Sequence, residues 1–277
     1  MQWGDRDGYV KESTWATLPA VLLGLGAMFL LVYQQHTLGY FMVACGLFAA
    51  WLCDFTTLSF GLLADITTVS CGLVILSLTD LTADLTNLGM LRFAVVLTAA
   101  VAVPYALHRW VFHAEPVTFP WGGWHWSRAQ WIYLASVVVV GYLVLPWYFI
   151  STGVYLNWPP VHTPDQVVRL FIGVNTVGIW DELFFICLVF TLYRRHFKLW
   201  QANLLQAMIF VSFLWELGYQ AWGPLLTIPF AMVQGGIFQL TKNLAYVITV
   251  HLLFDLVVFL VLLHGHNPGW PHIFITA

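Results

Sequence analysis

The chain has 277 residues, of which 60% are apolar and 8% are charged, and its formal net charge is −3 at pH 7. Soluble domains carry roughly 25% charged residues, so this composition excludes a water-soluble globule and indicates a polytopic membrane protein. The slightly acidic balance also argues against a nucleic-acid-binding protein, which needs a basic face.

Long apolar runs predict about nine transmembrane helices, so the expected fold class is an all-α polytopic membrane protein. The runs lie near residues 15–33, 38–53, 58–78, 92–107, 130–150, 170–193, 203–222, 226–240 and 244–264. Several runs are shorter than the ~20 residues of a typical spanning helix, so the count is good to about one helix.

The basic residues predict how these helices are oriented. With nine spans, eight of the ten Lys and Arg residues fall on one side, and only Arg92 and Arg169 fall on the other. Lys and Arg collect on the cytoplasmic side, so we expect a cytoplasmic N-terminus and an external C-terminus. The polar N-terminus precedes a long apolar run, which is typical of a retained first span. We therefore expect a protein of a prokaryotic inner membrane.

The first half of the chain carries one acid inside a predicted span and one aromatic loop. We interpret Asp65 as a buried polar group that is satisfied by its neighbours Thr67, Thr68 and Ser70. The loop at residues 108–129 is rich in tryptophan, which favours the headgroup region, and is predicted to be a cytoplasmic interfacial anchor. The chain is accordingly divided into residues 1–129, the N-terminal transmembrane helices with this loop, and residues 130–277.

The second half concentrates ionisable residues near the middle of three predicted helices. They are Asp181, Glu182, Glu216, His251 and Asp255. Each charge at bilayer depth costs about 2.5–3.5 kcal/mol on insertion scales, so a sequence that retains them has a use for them. The last two lie at i and i+4, on one face of a helix. We predict that all five meet in one intramembrane polar site, and a hydrogen-bonded plug between helices is the structural alternative.

At these residues the sequence resembles the CAAX prenyl-protease and bacteriocin-processing family of intramembrane proteases, called CPBP or Abi. Its members carry three motifs, EExxxR, FxxxH and HxxxN or HxxxD. The corresponding segments here are Asp181-Glu182-Leu-Phe-Phe-Ile, Phe213-Leu-Trp-Glu216-Leu217 and His251-Leu-Leu-Phe-Asp255. The likeness covers about residues 165–265 and implies that residues 130–277 form a CPBP-like core.

The sequence departs from the family pattern at two of the three motifs. The family arginine is replaced by Ile186, and the second-motif histidine has no counterpart, because its spacing leads to Leu217. Glu216 is the ionisable residue nearest to that position. The resemblance therefore supports the fold more firmly than it supports proteolysis.

The resemblance implies an intramembrane endopeptidase that uses a Glu-activated water. Carried over residue by residue, Glu182 is the general base and Asp181 supports it. His251 and Asp255 are then the partners on the side of the water or the oxyanion, and Glu216 lies beside the position of the missing histidine. The expected partners are membrane lipid and a membrane peptide or lipid-modified substrate.

Two other functions remain open at this point. Glu182, Glu216, His251 and Asp255 form a carboxylate-rich set with one histidine, which suits Fe, Mn or Zn. The chain could then be a metal-dependent membrane enzyme that acts on a lipid-soluble substrate, and a divalent metal is the one cofactor that the sequence suggests. Alternatively, it is a catalytically degenerate family member that serves as a scaffold or as a subunit of a membrane complex.

Overall fold

The computed structural model describes residues 14–57, 61–268, 270 and 273–274. In these residues all the regular structure is helical, as the composition and the apolar runs predict. Nine helices are described: α1 Leu18–Val32, α2 His36–Thr57, α3 Leu62–Leu76, α4 Asn87–Val111, α5 Arg128–Ser151, α6 Pro164–Arg194, α7 Leu199–Leu217, α8 Pro224–Thr241 and α9 Leu244–His266.

The lengths and surfaces of these helices are those of an integral membrane protein. Helices α2, α4, α5, α6 and α9 are long and apolar enough to cross a bilayer, whereas α1 and α3 are shorter apolar helices. Large apolar side chains such as Phe55, Val95 and Trp131 lie exposed on the outer faces of the bundle. An apolar exterior of this extent matches lipid rather than water.

The orientation of the protein stays a prediction. Arg6 and Lys11, which contribute to the excess of positive charge on one side, lie outside the described residues. The division of the chain after residue 129 likewise stays a prediction. The main hydrophobic core contains residues from both parts, including Leu23, Leu73, Val189 and Leu262.

Helix α6 lies at the centre of the bundle. It is α-helical from Pro164 to Asp181 and π-helical from Glu182 to Phe190, so its register changes at the Asp181–Glu182 pair. The π-helical part is almost wholly buried. Such widened turns occur frequently at functional sites because they redirect side chains. Helix α9 packs against both α5 and α6, which brings its mid-helix residues to this register change.

The loop at residues 112–127 is fastened to the start of α9. The backbone N–H groups of Leu244 and Ala245 donate to the carbonyl oxygens of Pro120 and Trp121, at 2.8 and 2.9 Å. Gly122 has φ +72°, and a side chain there would collide with Asn243, the residue that caps α9. The loop therefore fixes where α9 begins. It also leaves Trp121 and Trp124 exposed, as an interfacial anchor requires.

Asp65 is buried and hydrogen-bonded, but its partners are not those that the sequence suggests. Its two carboxylate oxygens lie 2.8 Å from His108 Nε2 and 2.8 Å from His196 Nε2, and Arg195 Nη1 lies 3.4 Å away. The hydroxyls of Thr67 and Thr68 donate instead to carbonyls of their own helix. We call Asp65, His108, Arg195 and His196 the Asp65 cluster, which joins α3, the end of α4 and the turn after α6.

Candidate active site

Four of the five residues that the sequence singles out come together between α6 and α9. Asp181 and Glu182 lie at the register change of α6, and His251 and Asp255 lie one turn apart on α9. All four residues are buried, with exposed fractions of 4% or less. The fifth residue, Glu216, lies elsewhere.

Glu182 and His251 form the closest pair among these four residues. His251 Nδ1 lies 2.7 Å from Glu182 Oε1. The same oxygen accepts a second hydrogen bond, at 2.6 Å, from the side-chain amide of Gln234 on α8. When Glu182 is ionised it can only accept, and the N–H of Nδ1 is then the donor of this hydrogen bond. Glu182 therefore binds the Nδ1 edge of the imidazole and fixes the orientation of the ring.

The other ring nitrogen faces two more carboxyl groups. His251 Nε2 lies 3.6 Å from Asp181 Oδ2 and 3.8 Å from Asp255 Oδ1. These separations are too long for direct hydrogen bonds and are typical of polar groups that share a water or a substrate atom. The other two oxygens, Asp181 Oδ1 and Asp255 Oδ2, are buried and have no hydrogen-bond partner among the described residues. This side of the imidazole is therefore equipped to bind a further polar group.

A cavity of about 670 Å³ opens beside Nε2. Asp181, His251 and Asp255 line it, whereas Glu182 and Gln234 do not. The remaining wall is mainly apolar and is formed largely by α4 and α6. Trp180 joins the two helices, since its indole N–H donates to the carbonyl oxygen of Leu97 at 2.7 Å. The cavity thus has the size of an ordinary ligand pocket, with Asp181, His251 and Asp255 gathered at one point of its wall.

Gly178 makes the close approach of α6 and α9 possible. It lies one turn before Glu182 on α6, and a β-carbon at this position would collide with Asp255 Oδ2. The same β-carbon would lie 3.1 Å from Cδ2 of His251. A residue with any side chain would therefore push the carboxyl group of Asp255 away from the imidazole.

Glu216 does not join the site, contrary to the prediction. Its Oε1 accepts a hydrogen bond of 3.2 Å from the backbone N–H of Leu81, in the loop between α3 and α4. The predicted span ran to residue 222, which would have put Glu216 near mid-depth. The helix in fact ends at Leu217, with Gly218 at φ +134°, so Glu216 lies in its last turn.

The proposed metal set depended on Glu216 and is not assembled. In the part of the chain that the structure describes, no group of three or more His, Cys, Asp or Glu residues is arranged to hold a metal ion. The two residues that depart from the family pattern are both buried apolar side chains. Ile186 is fully buried in the apolar core, and Leu217 is buried at the end of α7.

Gln234 is the site residue that the sequence analysis missed. It is fully buried and touches Glu182 directly. Its signal in the sequence is weak, because an amide inside an apolar helix is common at helix–helix contacts. Only the fold brings it to the acid of α6.

A buried imidazole held by a carboxylate and facing a cavity within a bundle of apolar helices defines a candidate intramembrane hydrolase site. Residues 163–257 match the family model described as "Type II CAAX prenyl endopeptidase Rce1-like". The match covers about a third of the chain, and over this segment the chain is similar to that family. Comparison with curated proteins and with solved structures gives no match. The matched segment begins at the cap of α6 and ends within α9, so it contains all four clustered residues and Gln234.

Proposed function

We propose that this protein is an intramembrane endopeptidase in which His251 activates water beside Asp181 and Asp255. One observation carries the proposal. The buried Glu182–His251 pair is hydrogen-bonded at 2.7 Å, and the opposite edge of the imidazole faces the cavity between two carboxyl groups. The family match supports the same reaction class.

The geometry favours a division of roles that differs from the one the resemblance implies. Glu182 Oε1 already accepts from two donors, and Glu182 is not part of the cavity wall. His251 is therefore the better candidate for the general base, and Glu182 is its positioning residue. An imidazole whose Nδ1–H donates to a carboxylate has Nε2 unprotonated and able to accept a proton.

The proposed hydrolysis proceeds in two steps. The water oxygen attacks the carbonyl carbon of the scissile peptide bond while one of its protons passes to His251 Nε2. Glu182 stabilises the imidazolium that forms. The tetrahedral intermediate then expels the amine, which takes the proton from Nε2, and the other product leaves as a carboxylic acid. A protonated Asp181 or Asp255 can donate a hydrogen bond to the oxyanion.

The mainly apolar cavity fits a membrane peptide or a lipid-modified peptide as substrate. The family description names CAAX prenyl endopeptidases, so a peptide that ends in a prenylated Cys-aliphatic-aliphatic-X tail is the first probe to use. The same peptide without the prenyl group is the matched comparison. A difference between the two rates measures how much the apolar wall contributes to binding.

The test uses the purified protein in lipid nanodiscs with these two fluorogenic peptides. The wild-type protein is expected to cleave the lipidated peptide, and His251→Gln is expected to lower kcat/KM by about 10²–10⁴-fold, the usual contribution of a general base. Thermal unfolding of both proteins shows whether the variant is folded. A folded His251→Gln that cleaves at the wild-type rate would refute the proposal.

Metal analysis of the same preparation tests the metal-dependent alternative. On the proposed mechanism, a chelator leaves the rate of cleavage unchanged, and no metal co-purifies in stoichiometric amount. A stoichiometric metal that is lost in Glu182→Ala, together with inactivation by the chelator, would favour the metal-dependent enzyme instead.

A second candidate function is that of a non-catalytic scaffold or subunit, and the altered motifs favour it. Ile186 removes the family arginine, and Glu216, nearest to the missing histidine, is engaged by Leu81. In that case the four clustered residues act as a polar plug between α6 and α9. His251→Gln would then lower the melting temperature and release partner subunits, while the wild-type protein would cleave neither peptide.

Gly178→Ala is expected to lower kcat about 10²-fold, because the new β-carbon displaces the carboxyl group of Asp255. A displacement of about 1 Å in an active site can lower the rate by about this factor. Gly236→Ala is the matched control, since a β-carbon at Gly236 meets no atom within 4 Å. Steady-state cleavage of the lipidated peptide gives kcat, and scanning fluorimetry confirms folding. Equal rates for the two alanine variants would contradict the geometry given to Asp255.

A further inference from the structure

Among the described residues, Gln234 is the one side-chain amide that is hydrogen-bonded to the acid–imidazole pair. Its Nε2 donates to Glu182 Oε1 at 2.6 Å and to the backbone carbonyl of Val247 at 3.2 Å. One side chain on α8 thus contacts α6 and α9 at the point where Glu182 meets His251. Gln234 is fully buried and lies outside the cavity wall, so it does not meet a substrate in the cavity.

The two donors on Oε1 restrict the rotation of the Glu182 carboxylate. Gln234 and His251 both bind Oε1, whereas Oε2 has no hydrogen-bond partner in the part of the chain that the structure describes. The amide must present its N–H to Glu182, because its oxygen would meet an anion. With this donor in place, the carboxylate presents one defined oxygen to the ring, and the proton on Nδ1 has a fixed acceptor.

A second pair of amides holds α8 in position beside Gln234. Gln206 Nε2 donates to the carbonyl oxygen of Ala231 at 3.0 Å and to Asn203 Oδ1 at 3.1 Å, and Asn203 Nδ2 donates to the carbonyl oxygen of Met232 at 2.5 Å. The two carbonyl acceptors on α8, those of Ala231 and Met232, lie within one turn of Gln234. The position of its amide is therefore set by α7 as well as by α8.

We propose that Gln234 is a positioning residue. It keeps the N–H of His251 Nδ1 hydrogen-bonded to Glu182, so that proton exchange occurs at Nε2 alone. The sequence lacks the second-motif histidine, and Gln234 supplies Glu182 with a polar partner from a neighbouring helix. The catalytic part of this role rests on the proposed hydrolysis. Its structural part, a neutral imidazole protonated at Nδ1, requires no substrate and is measured separately.

The structural part is tested by solid-state NMR of the protein with isotope-labelled histidine in lipid bilayers. The difference between the wild-type and His251→Gln spectra assigns the ring nitrogens of His251. In the wild type, Nδ1 is expected to be of the protonated type across the whole accessible pH range, and only Nε2 changes type with pH. A neutral ring protonated at Nε2 would overturn the proposal, and this measurement needs no Gln234 variant to fold.

The role of Gln234 itself is tested with Gln234→Met, which has a similar size and no donor. The Nδ1 signal is expected to split, with a second population protonated at Nε2. Ser212→Ala is the control, because Ser212 is an equally buried polar residue of α7 whose hydroxyl donates to Met208 of its own helix, and it should leave the spectrum of His251 unchanged. Gln234→His, which keeps an N–H donor, should restore the single population. Identical spectra for Gln234→Met and the wild type would overturn the proposal.

Kinetics with the lipidated peptide separate positioning from binding. Gln234→Met is expected to lower kcat by roughly 10²-fold and to leave KM unchanged, because Gln234 orients the base and does not line the cavity. A rise in KM with unchanged kcat would overturn the positioning role. If the wild-type protein cleaves no peptide, the proposed function fails, while the NMR result still decides whether Gln234 sets the protonation of His251.

Discussion

Glu182→Gln is expected to lower the rate of peptide cleavage by about 10³-fold, whereas Glu216→Gln leaves the rate unchanged. The two acids have the same chemistry and both are buried, but only Glu182 contacts His251. Glu216 instead accepts from the backbone of Leu81. The pair of variants therefore separates an acid that acts on the imidazole from one that fastens a loop.

The Gln substitution at Glu182 is informative because it removes charge and preserves shape. Its amide oxygen can still accept from both His251 Nδ1 and Gln234, so the hydrogen bonds survive while the stabilisation of the imidazolium is lost. Glu182→Leu would leave two buried donors without an acceptor, at a cost of about 1–3 kcal/mol each. A loss of activity in that variant could then result from lower stability rather than from the missing charge. Cleavage of the lipidated peptide and a melting curve for each variant complete the measurement. A Glu216→Gln variant that is as inactive as Glu182→Gln would mean that the loop bound by Glu216 takes part in catalysis.

The elements of the fold that depend on local sequence could be predicted. Apolar runs mark the helices because a membrane helix has to be apolar along its whole length, and the i, i+4 spacing of His251 and Asp255 defines one face without any tertiary information. Asp181 and Glu182 are adjacent and so arrive together. The family resemblance over the second half agrees with the match of residues 163–257.

The end of α7 could not be predicted from apolarity. Tyr219 and Trp222 continue the apolar run beyond Leu217, so the run suggests a longer helix. The chain leaves the helix at Gly218, where φ is +134°, a conformation that glycine adopts at little cost. This one boundary decides whether Glu216 lies at mid-depth or in a terminal turn.

The partners of the buried polar groups could not be predicted either, because they are distant in the chain. Gln234 lies 52 residues from Glu182, and His196 lies 131 residues from Asp65. Neither pairing leaves a spacing pattern in a single sequence. Local reasoning assigns such groups to their nearest hydroxyls, which is why Thr67 and Thr68 were expected to satisfy Asp65. Tertiary packing gave Asp65 two imidazoles and a guanidinium instead.

Asp65→Asn is expected to lower the free energy of unfolding by about 3 kcal/mol, because it leaves buried or half-buried cationic and imidazole groups without their charged acceptor. His108 is almost completely buried at the end of α4, so it has no access to water as a replacement. Arg195 would lose its charged partner and keep its hydrogen bond to the carbonyl oxygen of Glu115. The cluster links three separate elements, and its loss should loosen α3 and α4 from the turn after α6.

The matched control for Asp65→Asn is Asp165→Asn. Asp165 also pairs with an arginine, Arg169 at 2.7 Å, but its side chain is 72% exposed. An exposed pair of this kind contributes about 0–1 kcal/mol, so this variant should unfold almost as the wild type does. Unfolding by SDS titration in mixed micelles gives both free energies, and tryptophan fluorescence reports the transition. If the two variants lose the same stability, the Asp65 cluster does not fasten the bundle, and its four side chains contribute no more than surface ion pairs do.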